Sequence, residues 1–253
     1  MNEQGVHATD GGSTDVLAGL ERVLVIGAHP DDNDFGCAGT TAFFSANGVE
    51  VSYCVITDGD AGGFDPDVPR SEIPGIRRAE QTAAAGCIGV AAERIHFLGY
   101  RDGELTVTHG LRRDLSRVIR QVRPHLVILQ SPERNWDRIY PSHPDHLAAG
   151  EATMQAVYPD SRNPFAHPSL LADEDLQEWT VPQVWVMAMQ PNLFIDVTNH
   201  FDQKVAALRA HESQTAHFDD LEGMLRGWLG QQAQTAGFGK DRLAEAFKRV
   251  NTL

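Results

Sequence analysis

An α/β fold, a mostly parallel sheet with helices on both faces, is what this sequence predicts, and three observations predict it. Short apolar runs alternate with segments of helical periodicity along the chain. The first of these runs, Val23–Ala28, is apolar throughout, as a strand buried on both faces is. Four of the runs also lead into polar stretches carrying Asp or His, where such sheets keep their ligands, outside the carboxyl ends of the strands.

The elements follow in order. Residues 1 to about 18 are rich in Gly, Ser, Thr and Asp and lack periodicity, so they are expected to be a loose, flexible tail. Residues 19–253 are expected to form a single domain. Val23–Ala28 is a strand, Phe35–Ala46 a helix and Val49–Thr57 a second strand rich in β-branched residues. The Gly/Asp/Pro-rich stretch Asp58–Gly75 is a long loop. Ile76, Ala79, Ala83, Cys87 and Val90 recur at helical spacing, and Ile95–Leu98 is a short strand. Leu111, Leu115, Val118, Ile119 and Val122 share one face of a helix that Pro124 stops. Leu126–Leu129 is a strand and Leu147–Val157 a helix. Val184–Met189 and Leu193–Val197 are strands separated by a Gln190-Pro191-Asn192 turn, and Val205 and Leu208 mark a helix. The last 40 residues are amphipathic and are expected to pack on the outside.

Composition narrows the class. At 253 residues the chain is long enough to bury a core, and a hydrophobic share of 42% excludes a disordered chain. A net charge of −14 argues against a nucleic-acid partner, which calls for a basic footprint. Three cysteines (Cys37, Cys54 and Cys87) do not make a disulfide framework and suit a reducing compartment. No apolar run is long enough to span a bilayer, and the polar N-terminus has no secretory h-region, so a cytoplasmic protein without a membrane partner is expected. Whether copies assemble into a homo-oligomer is left open.

Two short constellations carry the chemistry. In His29-Pro30-Asp31-Asp32 an imidazole and a carboxylate three residues apart can point at one ion, and His146 opens a helix after a similar His143-Pro144-Asp145 turn. Two imidazoles and one carboxylate, His29, Asp32 and His146, are a common catalytic zinc set with a position left for water. Asp31 beside them can act as general base. His143, held protonated by Asp145, can face a developing oxyanion or give a proton to a leaving amine. Together these parts describe metal-assisted hydrolysis of a carbonyl compound, most naturally an amide. Plainer uses stand beside this one: Asp31 and Asp32 can cap the helix near Phe35, and His143 and His146 can be surface residues of a polar loop. Tyr140 is close enough in sequence to reach the oxyanion position, and Asn135 and Trp136 can form a sugar platform. A nucleotide-binding or non-catalytic metal-binding protein of Rossmann-like fold is the competing function. Two acidic residues where a pyrophosphate would meet the helix N-terminus speak against the nucleotide.

Val23–Thr40 (VLVIGAHPDDNDFGCAGT) and His143-Pro144-Asp145-His146 resemble the signature of the LmbE-like, or PIG-L, deacetylases. The likeness extends over roughly residues 20 to 215 and takes in Arg77-Arg78-Ala79-Glu80, Phe97–Gly103 and Lys204–Leu208. It implies a Rossmann-like α/β fold and zinc-dependent removal of N-acetyl groups from small amino-sugar substrates. It also implies His29, Asp32 and His146 as metal ligands, Asp31 as general base and His143 as oxyanion stabiliser or acid, with Asp145 orienting it. Arg77 and Asp102 fall where family members contact the sugar, and Arg78 is an equal candidate for the first. Zinc is the family's metal, and Fe(II) or Co(II) can take the same ligands. The chain departs from the pattern at Asp34, where Glu is common, at Ala38, where Gly is, and at Arg101, where a small residue or proline is usual.

Overall fold

The computed structural model describes residues 7–9, 14–63, 65–187 and 190–252. In chain order these form β1 (His7–Thr9), α1 (Thr14–Leu17), β2 (Arg22–Gly27), α2 (Asp32–Ala46), β3 (Glu50–Thr57), α3 (Ile73–Cys87), β4 (Ile95–Tyr100), α4 (His109–Val122) and β5 (Leu126–Gln130). There follow α5 (Pro144–Gln155), α6 (Pro168–Ala172), β6 (Gln183–Met187), β7 (Leu193–Asp196), α7 (Phe201–Ala210), α8 (Glu212–Thr215), α9 (Leu221–Thr235) and β8 (Ala244–Asn251). The strands make one sheet in the order β1-β7-β8-β6-β5-β2-β3-β4. Every pairing is parallel except those of β8, which is antiparallel to both β6 and β7.

The period of two along each strand divides the core into two layers. Val23, Val25, Leu126 and Ile128 face α2, α3 and α7 on one side, whereas Leu24, Ile26, Val127 and Leu129 face α4 and α5 on the other. These eight side chains are almost completely buried. Truncating one of the leucines or isoleucines to Ala should cost ~2–5 kcal/mol, because the packed layers can only partly collapse. Local signals set the helix ends. Thr108 Oγ1 accepts the Leu111 N–H at 3.1 Å and starts α4. Arg123, at φ 52, ends it one residue before Pro124.

Three findings differ from the sequence expectations. Within the N-terminal tail, His7–Thr9 pairs in parallel with Leu193–Ile195 and Thr14–Leu17 makes one helical turn; residues 1–6 and 10–13 lie outside the described residues. The strands either side of Gln190-Pro191-Asn192 are not neighbours, because β8 lies between them. The last two residues of the expected strand Val184–Met189 lie outside the described ones. Nor do the last 40 residues all pack on the outside, since β8 enters the sheet with Ala244 and Phe247 fully buried. Its charges disguise it: Glu245 looks like a surface residue. In fact its carboxylate accepts the Gly39 and Thr40 N–H groups and pairs with buried Lys204 at 2.7 Å, so the charge is balanced inside the protein.

Candidate active site

All four polar loops after β2, β3, β4 and β5 meet at one edge of the sheet, as the carboxyl-end rule requires. The first begins at Ala28, whose N–H donates to Gln130 Oε1 at 2.9 Å and ties β2 to β5. His29 follows, and Asp31 then takes φ 98, ψ −31 before α2 starts. That backbone conformation is rare outside glycine and costs on the order of 1–3 kcal/mol unless the surroundings impose it. Asp31 is the N-cap of α2 by position, yet its side chain makes no capping hydrogen bond. Asp32 is turned back as well: its Oδ2 accepts the His29 N–H at 2.7 Å. The helix-capping use of these two carboxylates is therefore not what the fold makes of them.

Three side chains instead converge. His29 Nδ1 lies 3.1 Å from Asp32 Oδ2, Asp32 Oδ1 lies 3.1 Å from His146 Nε2, and His146 Nε2 lies 3.2 Å from His29 Nδ1. Zinc bonds of ~2.0–2.2 Å at tetrahedral angles place neighbouring ligand atoms about 3.3–3.5 Å apart, so the triangle fits such a metal with little adjustment. His146 reaches it because α5 packs tightly under β5; a Cβ on Gly150 would stand 2.5 Å from the Gln130 carbonyl oxygen. The other nitrogen of His29, Nε2, lies 3.2 Å from both Asp102 Oδ1 and Asp145 Oδ2. A proton held there by carboxylates leaves Nδ1 free as a ligand and makes it more basic. Burial works against a charge on His29, but Asp32, then Asp102 and Asp145, outweigh it and its pKa is pushed up to about 12. The pocket is built to hold positive charge.

Asp31 faces the same edge. Its Oδ2 pairs with Arg77 Nη2 at 3.1 Å, and its N–H donates to Gln81 Oε1 at 3.0 Å. Burial raises its pKa, Arg77 pulls it back, neighbouring Asp32 raises it again, and the value settles at about 6. A carboxylate near neutrality is suited to accepting a proton. Arg77 is buried and also donates to the Pro30 and Gly59 carbonyls. Gly59 makes room for it, since a Cβ there would stand 2.5 Å from Arg77 Nη1.

Two expected roles change. Asp145 does not orient His143 with its carboxylate, which serves His29 and accepts the Gly103 and Leu105 N–H groups at 2.7 and 3.2 Å. Its backbone N–H does so instead, donating to His143 Nδ1 at 3.2 Å. That bond puts the His143 proton on Nε2, and burial together with His29 lowers the pKa, so His143 is a neutral donor and not a held imidazolium. Arg77 and Asp102, expected at the sugar, also contact Asp31 and His29 respectively. Arg78 is half exposed and pairs with Asp58 at 3.1 Å. Tyr140 is 81% exposed, its ring beside Arg138, and Trp136 is 84% exposed beside Arg134. The loop between β3 and α3 is fastened to the site: Asp60 accepts the Asp102 N–H at 3.0 Å, and Asp102 accepts the Ala61 N–H at 3.3 Å.

Gln81 and the Asp34 cluster were not singled out from sequence for these contacts. Asp34 accepts from Gln81 Nε2 at 2.7 Å and Tyr53 Oη at 3.2 Å, and lies 2.8 Å from His211 Nε2. The available signal was the spacing of Arg77 and Gln81, two long polar residues at i and i+4 on the face of α3 that packs inward.

A carboxylate–imidazole pocket able to hold a metal, at the carboxyl ends of parallel strands with a further, partly buried carboxylate beside it, defines the class of protein. The chain belongs to the PIG-L family, described as GlcNAc-PI de-N-acetylase, whose pattern matches residues 24–157. It is 34% identical to diacetylchitobiose deacetylase of Thermococcus kodakarensis, over 77% of this chain and 70% of that one. It is 31% identical to a probable N-acetyl-alpha-D-glucosaminyl L-malate deacetylase 2 of Bacillus anthracis, over 77% of this chain and 81% of the relative. Its structure resembles N,N'-diacetylchitobiose deacetylase from Pyrococcus horikoshii with a TM-score of 0.84 at 30% identity, covering 94% of this chain and 86% of that one.

Proposed function

We propose that this protein is a zinc-dependent N-deacetylase that hydrolyses the N-acetyl group of a small amino-sugar substrate. The observation that carries it is the ligand triangle of His29, Asp32 and His146 with the Asp31 carboxylate on the same turn. A divalent metal held by those three residues supplies Lewis acidity and lowers the pKa of a water towards ~7. Asp31 takes the proton of the attacking water. It then passes that proton to the departing amine nitrogen. His143 Nε2–H donates to the oxygen that becomes negative as the carbonyl carbon turns tetrahedral. Asp102 and Asp145 keep His29 in the tautomer that presents Nδ1, and Arg77 keeps the Asp31 carboxylate aimed.

The relatives' named substrates, diacetylchitobiose and a glucosaminyl malate, share an N-acetylated glucosamine and differ in what is attached to it. That shared N-acetylated glucosamine is the part on which this site is proposed to act. Fe(II) or Co(II) fits the same donor set. The cytoplasm is the proposed location, in keeping with free thiols at Cys37, Cys54 and Cys87; no helix among the described residues is long and apolar enough to cross a membrane. The test is metal content of the purified protein together with acetate release from N-acetylglucosamine derivatives, before and after chelation. One metal per chain and chelator-sensitive acetate release are expected. Metal without release from any amino sugar would overturn the substrate class, and no metal uptake at all would overturn the site.

A further inference from the structure

We propose that Gln81 is a positioning residue that holds Asp31 in its left-handed backbone conformation and so keeps the base at the site. The proposal rests on the reading of Asp31 as general base. Asp31 sits at φ 98 with no glycine to make that conformation easy. Two residues of α3 grip the turn from one side. Arg77 takes the Pro30 carbonyl and the Asp31 carboxylate, and Gln81 takes the Asp31 N–H at 3.0 Å. Residue 32 already belongs to α2. Relaxation of residue 31 to negative φ would therefore turn the Pro30–Asp31 peptide, withdrawing its N–H from Gln81 and swinging the carboxylate off Arg77.

Gln81 is suited to this by what lies behind it. It is fully buried, and its Nε2 donates to Asp34 Oδ2 at 2.7 Å. A carboxylate can only accept, so the amide cannot flip, and Oε1 must face the Asp31 N–H. Asp34 is itself fixed by Tyr53 and His211, and its carbonyl accepts from Lys204 Nζ at 2.9 Å. Lys204 is in turn paired with Glu245 of β8. A chain of satisfied polar groups thus runs from the C-terminal strand to the backbone of the base, and Gln81 is its last side chain.

The test compares Gln81→Met, which fills the space without hydrogen bonds, with Gln81→Glu, which keeps an acceptor for the Asp31 N–H but sets an acid against Asp34. For Met, kcat should fall ~10–100-fold, the range typical of residues that orient a catalytic group, with KM and metal content within about twofold of wild type. Glu should have the lower Tm of the two and yet the higher kcat, because only the Asp31 contact bears on turnover. A merely structural Gln81 would make kcat follow Tm, and that order would overturn the proposal. So would a Met variant with wild-type kcat. The crystal structure of metal-loaded Gln81→Met decides the matter separately from any substrate. Residue 31 should leave positive φ and its carboxylate should part from Arg77; an unchanged turn would overturn the proposal even if the wild type released no acetate. Wild type that binds metal but deacetylates no amino sugar would instead count against the proposed function.

Discussion

His29-Pro30-Asp31 after β2 and His143-Pro144-Asp145 after β5 are the same tripeptide, each at the start of a helix, and the fold uses them oppositely. In the first, the helix N-cap is Asp31; in the second it is His143, two residues earlier in the motif. Asp31 consequently stands outside its helix at positive φ and offers its carboxylate to the site. Asp145 lies in the first turn of α5 and sends its carboxylate inward to His29 Nε2. The imidazoles diverge likewise. His29 presents Nδ1 to Asp32 and His146, whereas His143 commits Nδ1 to the Asp145 N–H and keeps Nε2–H for donation. A shared motif therefore supplies the same functional groups, and where the helix begins decides what each group does.

The comparison breaks most visibly at the metal. His29→Ala and His146→Ala should lose both bound metal and acetate release, as read by elemental analysis of the purified variants. Retention of one metal per chain in either would remove that residue from the ligand set. The next contrast separates the proposed base and oxyanion donor from the proposed ligands. Asp31→Asn should keep its metal and lose ~10²–10⁴-fold in kcat, the usual worth of a general base. His143→Ala should keep its metal and lose ~10²–10³-fold, the worth of one oxyanion donor. If His143→Ala stripped the metal, the two histidines of the repeated motif would have the same role after all. The smallest effect is expected at Asp145. Asp145→Asn should weaken metal affinity ~10–100-fold while excess metal restores turnover, measured by titration against a chelator. An affinity equal to wild type would mean that Asp102 alone holds His29 Nε2.

Much of this was legible in the residues. The parallel strands were visible because buried strands leave continuous apolar runs, and the loops after four of them were visible because Asp, Gly, Pro and His cannot be part of those runs. His29, Asp32 and His146 could be grouped from the two similar turns and the family resemblance, although helix capping and a polar surface loop were also open to them, and the structure brings the three side chains within 3.2 Å of one another. Strand β8 was hidden by Glu245, Lys248 and Arg249, whose charges mimic an exposed segment until Lys204 is seen beside Glu245. Arg77 and Asp102 were placed at the site edge, but their contacts with Asp31 and His29 were not legible, because a charged residue near a substrate loop looks the same in sequence whichever neighbouring side chain it meets.

The division has a physical cause. Apolar periodicity, turn chemistry and the types of metal-binding side chain are properties of short stretches, and the sequence by itself determined the α/β plan, the edge that carries the site and the residue types gathered there. Which nitrogen of each imidazole faces Asp32, which carboxylate contacts a histidine and which pairs with Arg77, and the left-handed turn at Asp31 were decided only by the tertiary structure. Each of these depends on a hydrogen-bond partner from a distant segment: Asp145 for His29, Gln81 and Arg77 for Asp31, and His211 for Asp34. Such partners come within 3 Å or so of one another only when the sheet and its helices have closed, at the distance where a hydrogen bond forms and direction begins to matter.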